Sequence, residues 1–246
     1  MRTYAIGDIH GHLDKLEQAH RLIEEDRARV GDSSAPVVHL GDLVDRGPDS
    51  AGVVDYLIRG IEAGAPWIVL KGNHDRMFTG FMSDPDHQDP GLRADLHWTH
   101  PRLGGDATLA SYGVPGAGER LLHDLHEEAR ARVPERHLHF LRALPSRALM
   151  GEVLFVHAGI RPGIPLEDQV EDDLLWIRRP FLDWTGDHGV LVVHGHTAVD
   201  APEHHGNRVN LDSGAGYGRA LTAAVFEERR AFILTPEGRI ELAPAT

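Results

Sequence analysis

Three short apolar runs in the first third of the chain each end on a glycine followed by a residue able to ligate metal. Residues 3–6 lead to Gly7-Asp8 and then His10; residues 36–40 lead to Gly41-Asp42, with Asp45 and Arg46 next; residues 67–70 lead to Gly72-Asn73-His74. Helical patterns separate them. Leu13, Leu16, Ala19, Leu22 and Ile23 recur at helical spacing over 12–30 and Gly31 stops the run, while Asp49-Ser50 caps a second helix through Ile61 that ends by Gly64. Strand–helix–strand alternation predicts an α/β fold with right-handed parallel crossovers. Such a sheet sets its strand ends side by side, so residues far apart in sequence meet there, where ligands gather.

The pattern changes between about 76 and 147. Residues 84–90 are polar and proline-containing, as in a loop, and 118–144 reads as two helices broken at Pro134. We expect a helical lobe inserted over the sheet of a single domain spanning 1–246. Two more apolar strands follow, 153–156 and 190–193, running into His157 and into His194-Gly195-His196. Residues 208–211, 221–226 and 231–234 come at hairpin-like spacing and predict an antiparallel second sheet.

Composition narrows the chemistry. With 41% hydrophobic residues in 246, the chain can bury a core. No cysteine is present, which excludes disulfides, thiolate catalysis and zinc–thiolate sites, and 18 histidines supply imidazole in abundance. Against 38 acidic residues stand 25 Lys and Arg, a formal net charge of −13. That balance argues against extended nucleic acid and anionic membrane as partners. The N-terminal residues reach Asp8 before any apolar run of signal-peptide length, and a cytoplasmic enzyme is expected.

One Asp-x-His is weak evidence in a histidine-rich chain, but five strand ends all carrying ligand types are not. The strings Gly7-Asp8-Ile9-His10-Gly11, Gly41-Asp42-Leu43-Val44-Asp45-Arg46-Gly47, Gly72-Asn73-His74-Asp75, Val156-His157-Ala158-Gly159 and Gly195-His196-Thr197 resemble, in order, the signature of the phosphoprotein phosphatase family. That family belongs to the calcineurin-like metallophosphoesterases. The likeness continues more weakly through Asn210-Leu211-Asp212-Ser213-Gly214-Ala215. It implies a four-layer α/β/β/α sandwich with a dinuclear metal centre between two sheets. Asp75 stands where eukaryotic members carry Glu, which predicts a shorter reach and retained activity. The Gly104-Gly105…Thr108-Leu109…Ser111-Tyr112-Gly113 run looks like a segment of bacterial members, diadenosine tetraphosphatases among them.

The resemblance assigns Asp8, His10 and Asp42 to one divalent cation and Asp42, Asn73, His157 and His196 to a second, with Asp42 bridging. Manganese is expected first, an iron and zinc pair second. It further implies direct attack of a hydroxide shared by the two ions on phosphorus. His74 becomes the general acid, Asp45 the holder of its other ring nitrogen, and Arg46 with Arg178 the phosphate clamps. Arg179 is adjacent and spacing does not separate it from Arg178. Tyr217 is expected to line the site. His194 reads as packing, His39 as core, and His87, His97, His100, His204 and His205 as solvent-exposed. Trp98 and Tyr112 read as either a substrate wall or lobe core, and the acids from Glu167 to Asp173 as a solvated helix face.

The activity expected first is hydrolysis of phosphoserine and phosphothreonine, with phosphotyrosine admitted. The alternative is a dinucleoside polyphosphate hydrolase acting on diadenosine tetraphosphate. A superfamily nuclease is disfavoured by the Asp45-Arg46-Gly47 triplet and the net charge, and a non-catalytic binding module by the complete ligand set. The partners expected are a phosphorylated protein or peptide, or a small phosphate ester.

Overall fold

The computed structural model describes residues 1–245. Two sheets pack face to face. The first orders its six strands Gly238–Leu242, Arg230–Thr235, Ala223–Glu227, Arg2–Ile6, Val37–His39 and Trp67–Val69. Here β1 (Arg2–Ile6), β2 (Val37–His39) and β3 (Trp67–Val69) run parallel, joined through α1 (Leu13–Val30) and α2 (Ser50–Glu62). The second sheet orders β4-β5-β6-β8-β7, with β4 (Arg147–Met150), β5 (Val153–Val156), β6 (Leu191–His194), β7 (Glu203–His204) and β8 (Arg208–Asn210). Its central β5, β6 and β8 are also parallel.

Side-chain alternation explains the layers. Tyr4 and Ile6 of β1 face α1 and α2, whereas Ala5 between them faces the second sheet, where it meets a cluster with Phe155, Val193 and Val209. Phe155 is fully buried, and withdrawing a side chain of that size from water contributes about 1.5–3 kcal/mol. On the far side, Leu154, Val156 and Val192 pack under α7 (Glu171–Trp176) and α8 (Arg179–Leu182). The helix boundaries follow local chemistry. Asp49 Oδ1 accepts from Gly52 N at 2.8 Å to cap α2, and Gly31, at φ 67°, closes α1 in the left-handed conformation.

The helical lobe comprises α3 (Asn73–Ser83), α4 (Gly105–Ser111), α5 (Leu122–Arg132) and α6 (Glu135–Ala143), with Pro134 between the last two. Its apolar residues, Phe78, Phe81, Trp98 and Leu141 among them, share one cluster with Leu16, Ile23, Val53 and Leu57 of α1 and α2. The first turn of α3 carries two of the residues singled out above, Asn73 and His74.

Two expectations are corrected. The hairpin of β9 (Ala223–Glu227) and β10 (Arg230–Thr235) does not join Arg208–Asn210 in a second, antiparallel sheet. It extends the first sheet, because β9 pairs antiparallel with β1 from Arg2↔Glu227 to Ile6↔Ala223, and β11 (Gly238–Leu242) follows. The neighbours of β8 are β6, parallel, and the two-residue β7. His204, on β7, is buried rather than exposed, whereas Arg208 packs inside and places its guanidinium near Phe181.

Candidate metal centre

Every strand end named above opens onto one place. Asp8 and His10 follow β1, Asp42, Asp45 and Arg46 follow β2, Asn73 and His74 begin α3, and His157 and His196 follow β5 and β6 of the other sheet. Ligand atoms of His10, Asp42 and His74 lie within 4.8 Å of one another, and so do those of Asp42, His157 and His196. Asp42 belongs to both groups, the place of a bridging carboxylate. Asn73 Oδ1 lies 2.9 Å from His157 Nε2 and 2.9 Å from His196 Nδ1.

Hydrogen bonding fixes which ring nitrogens look inward. His10 Nδ1–H donates to the Val44 carbonyl at 2.9 Å, and His157 Nδ1–H donates to the Leu40 carbonyl at 2.9 Å. Burial holds both rings well towards the neutral form. Their Nε2 lone pairs therefore point at oxygens: His10 Nε2 lies 3.4 Å from Asp42 Oδ2, and His157 Nε2 lies 3.4 Å from Asp42 Oδ1. Arg46 donates to His10 Nε2, but among the described residues His157 Nε2 meets only the oxygens of Asp42 and Asn73, and lone pair against lone pair repels unless a cation stands between. Asp8 Oδ1 and His196 Nε2 are also buried without a hydrogen-bond partner. Burial, then Asp212 and Asp42, push the Asp8 carboxyl up, and burial with Asp42 does the same to Asp212. Acceptors facing acceptors, crowded carboxylates and unpaired buried ligand atoms fit divalent cations.

The backbone is bent to bring these groups inward. Among the described residues, the non-glycine positions with positive φ are His10, Asp42, Asp45, Arg46, His196 and Glu228, and all but the last lie in this site. Two glycines permit the close approach. A side chain on Gly195 would meet Asp8 Oδ1 at 1.9 Å, and one on Gly72 would meet Asp42 Oδ1 at 2.1 Å. Asp75 is stapled beneath the site, its Oδ1 accepting from Leu43 N at 2.9 Å and its Oδ2 from Gly72 N at 2.8 Å. That explains an acid at this position without direct contact with a ligand.

His74 and Asp45 form the pair expected of an acid and its holder: His74 Nδ1–H donates to Asp45 Oδ2 at 2.6 Å. Two further donors complete Asp45. Thr108 Oγ1–H reaches Oδ1 at 2.7 Å, and Trp98 Nε1–H reaches Oδ2 at 2.8 Å. Trp98 is thus neither wall nor mere core, and Thr108, for which the sequence offers no signal beyond the Gly104–Gly113 resemblance, joins it on Asp45. Tyr112 is core, its hydroxyl 2.9 Å from His137 Nδ1. His194 packs against Phe181, and His39 lies in the core beside His20.

A cavity of about 450 Å³ opens over Asp42, Asn73, His74 and His196, with Arg46, Arg178, Trp176 and Tyr217 in its walls. Arg46 donates to His74 Nε2 at 3.0 Å and to His10 Nε2, and lies over the Tyr217 ring at 4.8 Å. Arg178 lines this cavity; Arg179 begins α8 and does not.

Two sheets delivering carboxylate, amide and imidazole groups to one buried cluster, beneath an arginine-lined cavity, define a metal-dependent phosphoesterase. The calcineurin-like phosphoesterase family matches residues 1–224, and the chain belongs to it. It is 26% identical to a bis(5'-nucleosyl)-tetraphosphatase PrpE [asymmetrical] of Anoxybacillus flavithermus, over 91% of this chain and 89% of that one. It is also 26% identical to Shewanella-like protein phosphatase 2 of Arabidopsis thaliana, over 74% of this chain and 51% of that one. A crystal structure assigned to a diadenosine tetraphosphatase superposes with a TM-score of 0.63 at 25% identity, covering 99% of this chain and 94% of that one. Among the described residues, no helix is long and apolar enough to cross a membrane.

Proposed function

We propose that the protein hydrolyses dinucleoside polyphosphates at a centre of two divalent cations. The observation that carries this reading is the cavity over the cluster, which joins three arginines, Arg46, Arg178 and Arg219, to two aromatic walls, Trp176 and Tyr217. Arginine suits phosphate oxygens through its planar fork, and an aromatic face suits a nucleobase; a phosphorylated side chain needs only the first. The full-length likeness to tetraphosphatases supports the same choice over protein dephosphorylation, the activity expected first from the sequence. The second reading, hydrolysis of phosphoserine, phosphothreonine or phosphotyrosine, is favoured by the Arabidopsis relative.

Asp8, His10 and Asp42 would hold one ion, and Asp42, Asn73, His157 and His196 the other, with manganese the first to test. Bound there, the ions lower the pKa of water and offset the charge of the phosphoryl group. The chain does the rest. Arg46 and Arg178 orient phosphoryl oxygens for in-line displacement. His74, its Nε2 given up by Arg46 when that guanidinium turns to phosphate, would deliver a proton to the departing oxygen, while Asp45 keeps the ring turned towards it. Tyr217 packs on Arg46 and, largely exposed itself, offers its outer face to substrate.

The test is a comparison of kcat/KM for diadenosine tetraphosphate with that for phosphoserine and phosphotyrosine peptides, in manganese. Preference for the dinucleotide by about 100-fold or more is expected. A preference of that size for a peptide installs the second reading. Products separate the two cleavage modes: ATP with AMP marks asymmetrical cleavage, and two ADP symmetrical cleavage.

A further inference from the structure

We propose that Arg219 is a third phosphate-binding residue, which reads the part of the substrate beyond the phosphoryl group attacked and so favours chains of several phosphates over single ones. This rests on the polyphosphate reading above, and it concerns a residue that neither the motifs nor the acid–base pair require.

Arg219 lines the same cavity as Arg46 and Arg178. The turn that carries it is built against the site. A side chain on Gly216 would meet His10 Cδ2 at 2.6 Å and Arg46 Cδ at 3.0 Å, so the backbone of this turn seats directly on a ligand residue and a phosphate clamp. Gly214 and Gly218 both adopt positive φ, 82° and 85°. A side chain on Gly214 would meet Arg219 Nη2 at 2.2 Å and Nε at 2.3 Å, which lays the guanidinium flat along the turn. Lys15 Nζ fastens both ends, donating to the Ala215 carbonyl at 3.1 Å and the Arg219 carbonyl at 2.7 Å.

The guanidinium is held in place yet weakly engaged. Its Nε is buried without a hydrogen-bond partner, and the acid it pairs with among the described residues is Asp200, whose side chain is fully exposed. An ion pair at such a surface contributes little. A charge-assisted fork onto phosphate is stronger and can displace it. Asp200 then acts as a resting partner, released when a second or third phosphate arrives. A single phosphate held by Arg46 and Arg178 leaves the pair with Asp200 intact.

The alternative is a purely structural role, with the Arg219–Asp200 pair tying the loop after His196 to the turn after Asp212. Two variants separate these, measured by titration calorimetry on the manganese-loaded full chain with orthophosphate and with inorganic tripolyphosphate. Arg219→Gln is expected to weaken tripolyphosphate about tenfold while orthophosphate shifts by less than twofold. Asp200→Asn is expected to leave tripolyphosphate binding unchanged or tighter. The ratio of variant to wild type cancels chelation of manganese by tripolyphosphate. Equal weakening of both anions by Arg219→Gln, no weakening of either, or the same loss from Asp200→Asn overturns the proposal. The readout needs no turnover. A chain that ignores diadenosine tetraphosphate therefore defeats the proposed function, while the anion ratio still decides the role of Arg219.

Discussion

Trp98 Nε1–H donates to Asp45 Oδ2 at 2.8 Å, the same oxygen that receives His74 Nδ1–H at 2.6 Å. The indole thus fixes the carboxylate that fixes the imidazole, from a loop of the helical lobe. Trp98→Phe keeps the buried ring and deletes the donor. Losing one hydrogen bond to a charged group at about 1.5 kcal/mol gives a fall in kcat of about tenfold, with KM little changed. Asp45→Asn should lose at least about 100-fold, the scale of a misdirected general acid. Steady-state kinetics on both variants checks the order; equal effects, or a loss confined to KM, would contradict it.

Chelation should remove activity and lower the melting temperature together. The ligand groups come from both sheets, so ions binding the folded state alone stabilise it. At 100-fold over Kd each ion contributes about 2.7 kcal/mol. For a chain of this size that corresponds to roughly 5–10 °C per ion. Manganese should restore both properties. Asp42→Asn, at the residue shared by the two ligand groups, should bind fewer than two ions by elemental analysis and show a smaller thermal response.

Gly195→Ala is predicted to damage metal uptake more than folding. The added carbon would meet Asp8 Oδ1 at 1.9 Å, and Gly195 does not have positive φ, so the displacement falls on the ligand. Manganese affinity should drop about tenfold or more, on the scale of disturbed ligand orientation. Gly118→Ala, with open space around it, is the control and should be silent. Calorimetric titration with manganese distinguishes the pair.

His20 and His39 set an acid limit away from the site. Their Nε2 atoms lie 3.1 Å apart, and burial depresses both, His20 to about 2 and His39 to about 4. The unfolded chain takes up these protons from pH 6.5 downward, whereas the folded chain refuses them until its own lower values. Stability attributable to this pair is therefore intact above pH 6.5 and declines as pH falls, by up to about 1.4 kcal/mol per pH unit per ring. The His39 share levels off near pH 4. His20→Phe should flatten the decline between pH 6.5 and 4 in denaturant titrations at fixed manganese. An unchanged slope would remove the pair from the account.

Glycine followed by a ligand type is a local signal and marks the ends of β1, β2, β3 and β6, while β5 runs directly into His157. Parallel topology then brought Asp8, Asp42, Asn73, His157 and His196 together without further information. The holders of Asp45 were not legible in that way. Trp98 and Thr108 lie more than fifty positions from Asp45 and join it only through lobe packing, which no periodicity encodes. The β9–β10 hairpin shows the same limit: its spacing specifies antiparallel pairing between its own strands, but which sheet it joins depends on the exposed edge of β1. His204 looked polar and turn-bound, and a two-residue strand beside Val209 buried it.

Five positions of the centre, His10, Asp42, Asp45, Arg46 and His196, hold a left-handed backbone that glycine would adopt without strain. Each such residue costs about 1–3 kcal/mol. Directed evolution for heat endurance, blind to turnover, would drift towards glycine at these bends and yield hardier, inert descendants. Screens for robust variants should therefore score hydrolysis in the same round as melting.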